Sequence, residues 1–309
     1  RMPTNNFIAL SPIMTENYTA KATKNSAWMT LSFLISTGAN IVISILITHY
    51  FGRDLYGAYG YFIWLTGVLA IIGVYGLNQT IIKYLPRYYF SEKEKPKANT
   101  LFKKLLKTQL GITFALMIIF ALISLPLQNL IQMDETIKKN IFLIATIAIL
   151  PLSSNIFLTS TITALQKFRE LSIIQIIITL LNLIVMTSLV FLKMPLEIFL
   201  ISFLIIQIFQ TCLLAHTNHE LTKTNNNPPA TPLPLKEIKS YNHLSFITNI
   251  FGQIAWDRSE IFFLGIFSTT ADIAIYSLAY ALAILFINAF GPINTVLTSM
   301  TSQIVASAN

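Results

Sequence analysis

The stretch WDRSEIFFLG, residues 256–265, places Asp257, Arg258 and Glu260 within four positions of one another. Residues 240–256 before the cluster carry no charge other than its own, and residues 261–271 after it carry none. A guanidinium beside two carboxylates can hold an anion at Arg258 or a cation or proton at Asp257 and Glu260. It can also form an ion pair with a neighbouring helix. In lipid a central Asp or Arg costs roughly 2.5–3.5 kcal/mol on insertion scales, which makes such a cluster a functional-site hypothesis by default. On an ideal helix Arg258 points about 100° away from Asp257, so it does not simply extend an acidic face.

Two polar stripes accompany the cluster. Ser245, Asn249, Gln253, Asp257 and Glu260 share one side of the same segment. Near the start, Ser26, Thr30, Thr37, Asn40, Ser44 and Thr48 fall within about 40° of one direction at 100° per residue. Polar groups that face lipid have no partner, so both stripes must face other helices or a wet cavity.

The elements that position them are membrane spans. Of the 309 residues, 54% are hydrophobic and 11% charged, against about 25% charged in a soluble domain. Segments 26–48, 58–82, 108–127, 141–165, 171–192, 198–215, 244–267 and 273–300 each reach the roughly 20 mostly apolar residues a bilayer requires. Only the seventh contains charges. The expected fold class is an all-α integral membrane protein, a polytopic bundle of eight predicted transmembrane helices.

Charge sets the expected orientation. With the N-terminus cytoplasmic, the inside segments 1–25, 83–107, 166–170 and 216–243 carry 16 Lys and Arg, and the outside loops carry 4. That asymmetry is the positive-inside pattern. Segment 83–107 holds eight of the 16 and reads either as a topogenic anchor or as an attractor of anionic headgroups. Residues 1–25 form a polar leader, with Met14 reading as a native start. The first span is too long for a cleavable signal. The Asn- and Pro-rich segment 216–243 reads as a cytoplasmic linker.

Other chemistries find no support. There is no Walker loop, no G-x-G-x-x-G, no G-x-S-x-G and no soluble segment large enough for a catalytic core, so neither an enzyme nor a cofactor is expected. His216 and His219 beside Glu220 lack further ligands, and no metal is expected. The single Cys212 excludes an intrachain disulfide and reads as a small buried apolar residue. The +8 charge lies at helix ends, and no nucleic acid is expected. Offsetting the chain by 217 places Tyr59 on Tyr276, Gly60 on Ser277 and Asn40 on Asp257, a weak echo of the kind internal repeats leave.

The run WDRSEIFFLGIFSTTADIAIYSLAYALA, followed by GPINTVLTSMTSQI, resembles the seventh and eighth helices of Wzx-type polysaccharide flippases. These belong to the multidrug/oligosaccharidyl-lipid/polysaccharide exporter superfamily. The opening NSAWMTLSFLISTGANIVISILITHYFGRDLYGAYGYF is similar to theirs as well, and the resemblance covers roughly Met14 to Asn309. It implies roughly 12 to 14 helices in two six-helix bundles around a cavity. Residues 26–215 would then be the first bundle and 244–309 the opening pair of the second, in a chain that is a fragment.

The implied activity is flipping of undecaprenyl-pyrophosphate-linked oligosaccharide, or a related lipid-linked glycan, across the cytoplasmic (inner) membrane for surface polysaccharide such as O-antigen. The implied partners are that glycan lipid, membrane lipids and a coupling cation or proton. Arg258 matches the family's cationic position on helix 7, and Lys83 ends helix 2; helix 1 offers no basic residue. An Arg fork suits pyrophosphate, while Asn40, Asn249, Gln253, Asp257 and Glu260 suit sugars. The alternative is a drug or cation antiporter of the same superfamily, with Asp257 and Glu260 as the cation site. A glycosyltransferase or polymerase would need a larger outside loop than 128–140.

Overall fold

A backbone that must satisfy its own hydrogen bonds inside hydrocarbon can do so as helix, and every regular element among the described residues is one. A computed structural model describes residues 12–91, 94–219, 233–256 and 259–287. Helix α1 (Pro12–Val74) is two helices joined at Gly52, whose φ of 74° and ψ of −174° only glycine adopts readily. Then come α2 (Leu77–Tyr89), α3 (Lys95–Gln128), α4 (Glu135–Ala164), α5 (Phe168–Phe191) and α6 (Leu196–Thr217). The last three are α7 (Leu235–Trp256), α8 (Glu260–Phe267) and α9 (Thr270–Ile287).

Five of these are long and apolar enough to cross a membrane: the Thr23–Val74 part of α1, and α3 to α6. The first is 52 residues long, about 78 Å at 1.5 Å per residue and so more than twice the roughly 30 Å hydrocarbon core. Phe114, Ile118, Leu122 and Leu125 of α3 and Phe191 of α5 are exposed, an apolar surface that lipid, not water, suits. The chain is an all-helical membrane protein.

The expected spans 108–127, 141–165, 171–192 and 198–215 fall on α3 to α6. The expected connections are largely helix as well. Segment 83–107 holds the end of α2 and the start of α3, with Pro96 in the first turn of α3, where proline's missing N–H costs nothing. Segment 216–243 contains the first two turns of α7. Cys212 is exposed, contrary to its expected burial; an apolar residue on a lipid-facing side needs no cover. Asp257 and Arg258 lie outside the described residues, as does most of the leader's side-chain detail and residues 288–309.

Span 58–82 is interrupted. Tyr75 (φ 51°) and Gly76 (φ 73°) are left-handed between α1 and α2. Helix α7 closes on this break. A Cβ on Gly76 would lie 2.6 Å from the Phe246 nitrogen and 2.8 Å from the Asn242 carbonyl oxygen, so the bare backbone permits the approach. The buried Asn242 donates from Nδ2 to the Tyr75 carbonyl at 3.0 Å and accepts at Oδ1 from Thr80 Oγ1 at 2.8 Å. Tyr75 packs on Phe246 at 4.3 Å and its hydroxyl meets His243 Nδ1 at 2.9 Å. Asn242 thus satisfies a carbonyl that the helix end orphans.

Helix α4 is the most buried span and packs on α1, α2, α3 and α6, while α1 also contacts α5 and α9. Stacked pairs Phe120–Phe142 (5.9 Å) and Phe102–Phe157 (6.0 Å) fill the α3–α4 seam. At the start of α9, Thr269 and Asp272 form a capping box: the Asp272 carboxylate accepts from Thr269 N and Oγ1, and Thr269 Oγ1 accepts from Asp272 N. Hydrogen bonds from Ser268 and then Thr269 hold that carboxyl below the usual range. Further along, a Cβ on Gly60 would lie 3.0 Å from Ser277 Oγ. These two residues, matched by the 217-residue offset, therefore approach closely.

Replacing Asn242 with Leu leaves the Tyr75 carbonyl and the Thr80 hydroxyl without their partner. The expected cost is about 1–3 kcal/mol, read as a lower thermal unfolding temperature of the solubilised protein. An unchanged temperature would mean that α7 does not clasp the break.

Candidate functional site

Serines and asparagines in an apolar helix become informative when they recur every third or fourth residue, because they then share a face. On α1, Ser32, Ser36 and Asn40 do so; on α5, Gln175, Thr179 and Asn182; on α6, Gln207 and Gln210. The fold turns these three faces toward one another around a cavity of about 540 Å³. Ser32 Oγ reaches Gln175 Oε1 at 3.3 Å, and the Ser36 and Thr179 hydroxyls are 2.9 Å apart. Behind the cavity, Asn155 of α4 donates to Gln207 Oε1 at 2.9 Å and accepts from Thr211 Oγ1 at 2.8 Å, which fixes the α6 face.

A second cavity of about 310 Å³ adjoins the first, with Asn40, Asn182 and Phe203 common to both linings. It continues along the α1 stripe to Thr37 and Ser44, and adds Tyr56 and Tyr59 of α1 and Ser277 of α9. Ser277 is 4% exposed, and neither its Oγ nor Asn182 Oδ1 has a hydrogen-bond partner among the described residues. In a buried polar site such atoms are open to a ligand or water.

Among the described residues, none that lines either cavity is ionised at neutral pH. The cleft therefore offers amide donors and acceptors, hydroxyls and tyrosine rings. That chemistry suits a polyhydroxylated, uncharged molecule, whose hydroxyls pair with amides and whose apolar faces stack on rings. The described residues of the cleft supply no counter-charge for a phosphate.

The structure distributes the residues expected from sequence over several places. Asn40 is exposed in the cleft. Asn249 donates to Asn78 Oδ1 of α2 at 3.3 Å, so this part of the α7 stripe faces α2. Gln253 lies half-buried one turn further on. Glu260 opens α8 and accepts from the Tyr276 hydroxyl at 2.9 Å. Lys83 sits 3.8 Å above the Tyr241 ring and 5.2 Å from that of Tyr84, in a cleft between α2 and α7. None of these except Asn40 lines the polar cavities. Asp257 and Arg258 lie outside the described residues.

Sequence reasoning missed Ser32, Ser36 and the whole α5 and α6 contribution. The signal was present: polar residues at i, i+4 and i+7 of α5 (Gln175, Thr179, Asn182) stand in a largely apolar helix, as do Gln207 and Gln210 of α6.

Comparison with known proteins gives one match. A family model described as Polysaccharide biosynthesis protein matches residues 22–305. No curated protein and no solved structure matches the chain.

At the cleft between α2 and α7, burial and then the hydrogen bond to Glu237 Oε1 (3.0 Å) push the Tyr84 hydroxyl up to about 12. A raised phenol value means that this group's contribution is complete below its unfolded value of 10.0 and is lost as pH rises through the folded one. Spectroscopic titration should find one tyrosine shifted upward, and Glu237→Gln should lower it only in part, since burial remains. A Tyr84 that ionises at the ordinary value would show that α7 does not cover it.

Proposed function

The chain belongs to the polysaccharide biosynthesis protein family, and from that membership we propose that it carries a lipid-linked oligosaccharide across the cytoplasmic membrane. The transfer moves the headgroup from the inner to the outer leaflet and breaks no bond. The observation that supports this best is the uncharged cleft between α1, α5 and α6, whose amides, hydroxyls and tyrosines match sugars. A cavity meant for cations would present carboxylates, and none lines this one among the described residues.

Sugar and phosphate are then handled by different groups. The cleft takes the glycan. Arg258, on the strength of the sequence, meets the pyrophosphate with its planar fork, while Asp257 and Glu260 tune its charge or take a coupling cation or proton. Asn249 and Gln253 on α7 and Lys83 on α2 complete the path toward the inner surface. The organisation that goes with this is a first bundle over residues 26–215, a linker over 216–243 and the start of a second bundle over 244–309. Its eight crossings are two from α1 and α2, four from α3 to α6, one from α7 with α8, and one from α9 onward. The N-terminus is cytoplasmic, on the 16-to-4 distribution of Lys and Arg.

Orientation is tested by single introduced cysteines. An impermeant maleimide should label positions within 130–138 of intact cells and leave those within 91–99 and 223–236 unlabelled; the reverse pattern would invert the path.

The function is tested by glycan export in cells that depend on the intact gene. Asn40→Leu and Asn182→Leu each remove hydrogen bonds worth about 0.5–1.5 kcal/mol, so export should fall roughly 2- to 12-fold per change at normal abundance. Arg258→Ala should fall further, with partial recovery in Arg258→Lys. Full export by the Asn40→Leu/Asn182→Leu double variant would remove the cleft from the path. A change in drug susceptibility instead of export would favour an antiporter.

A further inference from the structure

Helices α3 and α7 each pass from a charged end into a charge-free run: residues 108–128 of α3 and 240–256 of α7 contain no Asp, Glu, Lys or Arg. Such a boundary lies at headgroup depth. At that level the two helices flank α2 and enclose a pocket of about 230 Å³, apart from the polar cleft. Its floor is apolar, with Leu101 and Leu105 of α3 and Ile238 of α7. Its rim carries Lys104, Lys239 and His243, and among the described residues no carboxylate lines it. Neither Lys104 nor Lys239 has an ion pair among the described residues; the pairs there are Lys97–Glu94 and Lys138–Glu135. The nearest acid in sequence, Glu237, accepts from Tyr84 on another cleft.

We propose that this pocket binds an anionic glycerophospholipid, with the phosphate between Lys104 and Lys239 and an acyl chain over Leu101, Leu105 and Ile238. Two unpaired cations at headgroup depth call for an anion, and basic pockets between membrane helices bind anionic headgroups in this way. A free phosphate would leave the apolar floor uncovered. A zwitterionic lipid would bring its own cation against the two lysines. The bound lipid would span from α3 of the first bundle to α7, beside the break that Asn242 and His243 close, and so would hold α7 against α2.

The test uses the intact protein in detergent, with bound lipid counted by native mass spectrometry. Phosphatidylglycerol should be retained over phosphatidylcholine of the same chains. Lys104→Gln/Lys239→Gln should weaken it roughly thirtyfold, the factor two lysines near a membrane surface supply. Lys104→Arg/Lys239→Arg should retain it, which separates lost charge from a lost fold. Lys103→Gln/Lys107→Gln removes equal charge from exposed positions of α3 outside the pocket and should change nothing. Equal loss in that control pair would reduce the effect to diffuse charge and overturn the site. So would equal retention of phosphatidylcholine, or competition by glycerol 3-phosphate as strong as by the lipid. Retention of farnesyl diphosphate in preference to phosphatidylglycerol would assign the pocket to an isoprenoid substrate and equally overturn it.

Discussion

Inside hydrocarbon a polar group finds its partner in the protein or finds none. That single constraint organises the molecule. It makes the described elements helical, and it turns the α1, α5 and α6 stripes toward one another. Where partners are complete, as in Gln207–Asn155–Thr211 and Ser36–Thr179, helices are fixed in register. Where they are incomplete, at Asn182 and Ser277, a cavity adjoins. Interhelical hydrogen bonds in membranes are worth only about 0.6 kcal/mol on average, so such a framework holds its shape without locking it. A carrier that must change which side it opens toward needs that weakness.

Charge is segregated from the cleft. The described lining of the cavities is neutral, and the lysines lie at the ends of the apolar runs, where Lys83 rests on Tyr241 and Tyr84. A fixed cation deep in the cleft would grip a phosphate strongly in low dielectric, and transport requires binding weak enough to leave. Neutral sugar contacts, each modest, would on the proposed reading allow the ligand both to enter and to go. The acidic and basic cluster at 257–260 is where stronger contact is expected, and of that cluster the structure describes Glu260, held by Tyr276.

Much of the fold is legible from hydropathy, because crossing a bilayer demands a length of apolar residues that nothing else in the chain imitates. Helices α3 to α6 follow the expected spans for that reason. The break at Tyr75–Gly76 is not legible this way: both residues suit an apolar span, and the left-handed φ of Tyr75 occurs where α7, distant in sequence, packs against it. The helical content of 83–107 was hidden by its charge, which marks depth rather than loop. For the site, Asn40 was found because it recurs with Thr37 and Ser44. Gln175, Thr179 and Asn182 were passed over because the charges of α5, Arg169 and Glu170, stand at its start and none lies within its span. The α7 stripe was read as one surface, yet Asn249 pairs with Asn78 while Glu260 pairs with Tyr276; periodicity gives a face and not its neighbour.

The central claim is that this protein moves the headgroup of a glycan lipid between leaflets. The direct measurement reconstitutes the intact gene product in vesicles containing a fluorescent lipid-linked oligosaccharide and follows the fraction that an impermeant glycosidase can cut. Vesicles with the protein should expose the inner-leaflet pool in time, while empty vesicles and those with the Asn40→Leu/Asn182→Leu protein should stay near the half that faces outward. Equal exposure with and without the protein would contradict the account.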